Sequence, residues 1–132
     1  RWYGRVLVER VEGFGKKEEW KRAYREINEL ERTLTDSGSI ILKFFLHITK
    51  SEQLRRFERR SADPYKHWKI SEEDWRNRRK WNEHLQAAEE MFARTNSRVA
   101  PWHLIEGNYK WYARIKVMKL LVKRLEQEFG DL

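Results

Sequence analysis

Cysteine is absent from this 132-residue chain. That excludes disulfides and thiol chemistry and fits a reducing compartment. No apolar run approaches the roughly 20 residues that a membrane-spanning helix needs, and no signal peptide is visible. There is no internal repeat and no low-complexity segment. The four histidines, at 47, 67, 84 and 103, have no spacing that suggests metal ligation. No Ser-His-Asp grouping stands out. Gly13-Phe14-Gly15 lacks the Lys-Ser/Thr ending of a phosphate-cradling loop. An initiator methionine is also missing. The chain opens "RWYGRVLVERVEGF", an aromatic and basic cluster running straight into a helical pattern, and it reads as starting inside a longer sequence.

What is present is charge. Charged residues make up 38% of the chain against 39% hydrophobic, and the formal net charge is +8. The apolar residues are clustered and periodic, which argues against disorder. The excess is uneven. Residues 1–25 carry eight basic and four acidic side chains, and residues 51–80 carry ten and six, about +4 each. Residues 26–49 and 81–108 are each about −2. Two positive segments suggest contact with a polyanion at two places, or two solvated helix faces.

Along the chain, Val6, Leu7, Val8 and Val11 predict a short helix ending near Gly13. Trp20, Ala23, Tyr24, Ile27, Leu30 and Leu34 predict a second helix over 17–36. "SIILKFFLHIT" reads as a strand buried on both faces, with His47 a satisfied core residue. Thr49 with Glu52 is a capping-box signature opening the helix "SEQLRRFERR". Asp63-Pro64 interrupts it. Ser71 with Asp74 opens a helix predicted to run to about Arg94, carrying Trp81, Leu85, Ala88 and Phe92 on one face. "WHLIEG" reads as a short strand and "NYKWYARIKVMKLLVKRLEQEF" as a long closing helix. There Trp111, Ile115, Met118, Val122, Leu125 and Phe129 alternate steps of four and three, which reads as a core stripe. Strands alternating with helices predict an α/β fold with a parallel sheet, mostly helical in this chain. Two strands are few for such a sheet, so the chain reads as the second half of a domain.

"LRRFERR" is the strongest local signal. Arg56 and Arg60 share a helix face, with Arg55 and Arg59 in a parallel row. Guanidinium forks a turn apart can grip successive phosphates; the alternative is a solvated face paired with Glu52 and Glu58. In "DPYKHWK", Lys66 and Lys69 flank His67 and Trp68, which suits a mobile lid or a helical hairpin whose Trp68 packs on the core. Asn108 and Lys110 follow the second strand, at the edge where open α/β sheets bind ligands, or form a plain turn. Trp2 and Tyr3 suit packing better than base stacking. Glu9 and Glu12 read as a solvated pair.

Four blocks, "WYGRVLVERVEGF", "LKFFLHITKSEQLRRFERR", "DPYKHWKISEEDW" and "APWHLIEGNYKWYARIKV", together resemble the polyphosphate kinase type 2 family, most of all its polyphosphate:AMP phosphotransferase branch. The resemblance runs in order over essentially the whole chain. It implies a P-loop kinase fold with a helical lid, about residues 50–80, and Mg²⁺-dependent phosphoryl transfer between inorganic polyphosphate and AMP or ADP. It implies that Arg1 to Arg5 are the tail of a Walker B motif, with the Walker A region and the Mg²⁺ ligands upstream and no metal ligand in this chain.

On the same resemblance, Arg5, Arg56 and Arg60 are the catalytic phosphate contacts. Arg1, Tyr3, Arg55, Asp63, Lys66, Trp68, Lys69, Lys110 and Arg114 are the substrate-binding set. Tyr109 stands where the family has Asp, and Arg1 where it has Ser or Thr. The partners implied are polyphosphate and the nucleotide, without membrane or nucleic acid, in a cytoplasmic homo-oligomer. A chain lacking the Walker A region is expected to be inactive alone. The rival readings are a non-catalytic polyanion or nucleic-acid binding module, to which seven tryptophans lend stacking capacity, and a degenerate structural half of a fused two-domain kinase.

Overall fold

The structure, a computed structural model, describes residues 2–131. A 3₁₀ turn at Tyr3–Val6 leads into the short helix α1 (Val8–Glu12). Gly13, at φ 71°, stops α1 in the left-handed region that favours glycine. Helix α2 (Lys17–Asp36) follows, with the bounds that its apolar spacing predicts. It buries Ala23, Tyr24 and Ile27 against Val6 and against Met91 of a later helix, and these five residues form the core cluster.

Strand β1 (Lys43–His47) and strand β2 (Trp102–Glu106) pair in parallel, from Lys43 opposite Trp102 to His47 opposite Glu106. The predicted parallel α/β arrangement is therefore present. The predicted burial of β1 on both faces is not. Leu46 is 61% exposed, and His47 lies at the surface rather than in the core. Among the described residues β1 has a neighbour on one side only, which leaves Leu46 open to the surface.

One member of this apolar run is buried for another reason. Lys43 puts its ammonium on both Glu31 oxygens, at 3.0 and 3.1 Å, and on the Thr95 carbonyl at 2.6 Å. Tyr3 donates its hydroxyl to the same carboxylate, and the Trp102 ring lies 4.9 Å from the ammonium. Burial pushes the Lys43 ammonium down from its ordinary value, and the Glu31 contacts oppose that shift. Burial and the adjacent carboxylate both push the Tyr3 phenol up.

Helix α3 (Lys50–Ala62) leaves the end of β1. The helix predicted from Ser71 to Arg94 is two: α4 (Glu72–Arg79) and α5 (Trp81–Thr95). Lys80 breaks it, at φ −97° and ψ 29°. Lys80 and Arg76 both turn to the Glu12 carboxylate, at 3.3 and 3.1 Å. Glu12 is thus a buried tie between α1 and this break, not half of a solvated pair. Ser71 and Asp74 cap α4 reciprocally, as their spacing predicts. On α5 the buried residues are Ala87, Ala88, Met91 and Thr95, while Leu85 is exposed. The core stripe is turned from the predicted one toward α2.

Helix α6 (Lys110–Phe129) closes the fold. Its only buried residue is Ala113. The 4-3-4-3-4 stripe predicted as core faces outward, with Trp111, Ile115, Met118, Val122 and Phe129 all exposed. The helix meets β2 with its other side, where Lys116 reaches Glu106 at 2.7 Å.

Candidate functional site

Both parallel strands end at the same edge, and a helix starts from each end. Thr49 caps α3, its hydroxyl accepting from the Glu52 N–H at 3.2 Å. The second half of the predicted capping box is missing. Instead the Thr49 N–H donates to Asn108 Oδ1 at 3.0 Å, and Asn108 Nδ2 returns to the Thr49 hydroxyl at 3.3 Å. The two strand ends are locked to each other side chain to backbone. Gly107 lets them meet: a Cβ there would sit 3.0 Å from the His47 carbonyl oxygen.

Freed from capping, the Glu52 carboxylate serves the arginine row. Arg55 grips it with two bonds of 2.7 Å and Arg56 adds one of 2.8 Å. Those two guanidiniums hold the Glu52 carboxyl down from about 4.5 to about 2. The sign of the linkage follows. A carboxyl with a depressed folded-state pKa contributes stability above its unfolded value, and that stability is lost as the pH falls toward the folded value. The melting temperature is expected to fall between about pH 4.5 and pH 2. Glu52→Gln should flatten that part of the profile, as scanning calorimetry would read.

Arg56 has a second hand. Its Nη2 donates to the Gly107 carbonyl at 2.7 Å and to the Asn108 carbonyl at 3.1 Å. Arg56, Lys110 and Arg114 line one hollow of about 800 Å³, floored by Phe44, Leu46, Ile48 and Gly107. Arg60 lies one turn beyond Arg56 on α3, and neither it nor Arg59 makes an ion pair among the described residues. Arg114 rests over the Trp111 ring at 4.9 Å. Tyr109 precedes α6, largely exposed and making no side-chain cap.

The segment after α3 hangs outward. Asp63 accepts from Lys66 at 3.0 Å and from the Tyr65 N–H at 2.9 Å. Lys66 and that N–H hold its carboxyl below its ordinary value. Trp68 does not pack on the core. It is 70% exposed, its Nε1 bound to the Tyr65 carbonyl and its ring beneath Lys69 at 5.3 Å. Behind this loop, Phe57 and Trp75 meet edge to face at 5.1 Å. Arg78 reaches back to the Lys50 carbonyl at 2.6 Å. These contacts hold α4 against α3, and nothing in the spacing of Arg78 marks it for that task.

Two residues of the predicted set stand apart. Arg5 pairs with Glu26 at 3.0 Å and borders a separate depression with Glu9, Glu19, Trp20 and Arg22. Tyr3 is turned into the core, edge-on to Trp102 at 5.1 Å. Arg1 lies outside the described residues. Among the described residues no group of three His, Cys, Asp or Glu could hold a metal ion. Among those residues no helix is long and apolar enough to cross a membrane.

A basic strand-end edge of this kind suits phosphates in general. The comparison that decides between phosphate-handling families is a match of residues 1–130 to the polyphosphate kinase 2 (PPK2) family. The chain belongs to that family. It is 52% identical over 129 residues to a polyphosphate:AMP phosphotransferase of Pseudomonas syringae, covering 98% of this chain and 26% of that protein. It is 42% identical to an AMP/ADP-polyphosphate phosphotransferase of Meiothermus ruber, covering 94% of this chain and 46% of the relative. The crystal structure of polyphosphate kinase 2 from Arthrobacter aurescens superposes with a TM-score of 0.92 at 41% identity, over 98% of this chain and 46% of that one. The chain thus spans between a quarter and a half of the length of these relatives.

Proposed function

We propose that this chain is the C-terminal part of a polyphosphate-dependent nucleotide phosphotransferase, supplying phosphate-binding and lid residues for transfer from polyphosphate to AMP, with ADP as a second acceptor. The observation that carries the proposal is the strand-end edge. There Arg56 ties two helix starts together, and Arg60, Lys110 and Arg114 stand beside it in a family whose relatives are named for polyphosphate. Phosphoryl transfer needs positioning and charge neutralisation more than covalent chemistry. In this reading Arg56 and Arg60 hold successive phosphates, Arg55 exchanges its Glu52 partner for phosphate, and Lys110 and Arg114 flank the hollow. Lys66, Trp68 and Lys69 close over the substrate as the tip of a lid over 50–80, with Asp63 steadying Lys66. Arg5, paired with Glu26 away from this edge, is a phosphate contact on the family resemblance alone. Mg²⁺, when bound, would supply charge neutralisation to the phosphates, and its ligands are expected outside this chain.

The 132-residue chain is expected to bind polyphosphate and to convert no AMP to ADP. Competition binding tests the first part. Polyphosphate should displace a labelled polyphosphate probe better than single-stranded DNA of equal charge. Equal displacement would favour the nucleic-acid reading instead, to which the exposed Trp68 and Trp111 lend rings. Both rings already carry a cation on one face. Mg²⁺-dependent ADP formation by the chain alone would overturn the second part.

A further inference from the structure

Among the described residues, four buried side-chain atoms find no hydrogen-bond partner: Glu12 Oε1, Arg76 Nε, Asn77 Oδ1 and His84 Nε2. One belongs to the last residue of α1 and three to residues around the break between α4 and α5. Buried polar groups in folded proteins are nearly all paired, so unpaired ones gathered in one place mark a weakly held seam. Glu12 is its centre. Gly13 ends α1 directly after it, and Arg10 ties α1 to Tyr24 and Glu90. The carboxylate is thereby fixed to the body of the fold, with its side chain 5% exposed. Arg76 at 3.1 Å and Lys80 at 3.3 Å meet the same oxygen, Oε2. Lys80 hydrogen-bonds it, whereas Arg76 Nε is not aligned to do so. A contact of charge sets a distance and tolerates rotation.

The part that this seam holds is one piece. Phe57 meets Trp75, and Arg78 donates to the Lys50 carbonyl at 2.6 Å and to Gln53 Oε1 at 3.3 Å, so α3 and α4 form a tied hairpin. The chain enters the hairpin at Thr49 and leaves it at Lys80. At Thr49 the junction is locked by the hydrogen bonds of Asn108 and Arg56. At Lys80 the helix breaks, and α5 starts without a side-chain cap. We propose that the hairpin turns about these two junctions, and that Glu12 is the positioning residue that sets its angle. That angle decides how far Lys66 and Lys69 stand from Arg56 and Arg60. Helix α3 is about 20 Å long, so a turn of about 15° carries its far end about 5 Å. The consequence for phosphate rests on the proposed function; the angle itself does not.

The absence of cysteine allows a clean test. Spin labels on Ala62→Cys and Lys119→Cys, both at exposed positions, report the distance from hairpin to body by pulsed electron–electron resonance. The parent is expected to give one distance. Glu12→Gln keeps the shape, removes the charge and leaves Arg76 and Lys80 to repel each other across one helical turn. With helicity checked by circular dichroism, it should shift the distance by about 5 Å. Lys80→Met leaves Arg76 on Glu12 and should shift it in the same direction by less. Titration with polyphosphate should show about tenfold weaker binding by Glu12→Gln. A Glu12 that merely stabilises the fold would lower the melting temperature and leave distance and affinity as they are. A folded Glu12→Gln or Lys80→Met chain with the parent distance would overturn the proposal. So would a shifted distance with unchanged affinity, which would remove Glu12 from positioning the lid cations. A parent that binds no polyphosphate would instead sink the proposed function, and the distance would still decide on the hinge.

Discussion

Lys43→Met is expected to cost about 3–5 kcal/mol of folding stability, read as a lowered urea midpoint. Methionine fills the space of the lysine stem, so the loss is electrical rather than steric. The exchange leaves the Glu31 carboxylate buried with, among the described residues, only the Tyr3 hydroxyl as side-chain donor, and leaves the Thr95 carbonyl without its 2.6 Å partner. Both Lys43 and Glu31 side chains are at most 5% exposed, so water cannot take over. The matching change Glu31→Leu removes the orphaned charge. Lys43→Met combined with Glu31→Leu should recover part of the loss, because an apolar pair does not carry the desolvation cost that an unpaired ion does. If the double variant is no more stable than Lys43→Met alone, the carboxylate is not the source of the cost.

Arg56→Ala is expected to lower both stability and polyphosphate affinity, and Arg60→Ala affinity alone. Arg56 makes three charge-assisted bonds, one to Glu52 and two to the carbonyls that end β2. Losing them should cost about 1.5–3 kcal/mol and loosen the edge that presents the other cations. Arg60 makes no ion pair among the described residues, so its removal should leave the melting point unchanged. Its affinity loss should be about tenfold if it contributes one phosphate contact of ordinary strength. Arg56→Lys separates the two duties: it keeps the charge and loses the fork. A lysine variant that melts and binds like the parent would show that the fork does neither job. Calorimetry and titration with polyphosphate read both quantities on the same samples.

The elements were legible where period and caps agree. The bounds of α2, the caps at Thr49 and Ser71, and the parallel pairing of "KFFLH" with "WHLIE" all follow from local pattern. Exposure was not legible, because a pattern states which face of an element is apolar and not whether anything lies against it. The α6 stripe and the Leu46 end of β1 are both apolar and both open. Ion pairs across the chain were hidden for a related reason. Lys43 sits in an apolar run, and its partner lies on α2. Glu12 looks like half of a surface pair until Lys80 and Arg76 arrive from the break between α4 and α5.

In the candidate site, the arginine row could be read from its four-residue spacing. Its pairing with Glu52 was one of the readings that the spacing left open, and the contacts of Arg55 and Arg56 bear it out; that the carboxylate gives up the helix cap to make them is not written in the spacing. The lock between Thr49 and Asn108 needs the two strands aligned, and only the fold supplies that.

Glu52 carries a consequence for how long a bound chain stays. A row of bare guanidiniums would hold a long polyanion almost without release, and a donor that must advance phosphate by phosphate would stall on it. On the proposed function, a phosphate that reaches Arg55 or Arg56 would take the place of a resident carboxylate. The net gain per step is the difference between two anions competing for one fork. On that reading departure would be nearly as easy as arrival, and the acid on α3 would set how long a polyphosphate stays as well as tie the fold.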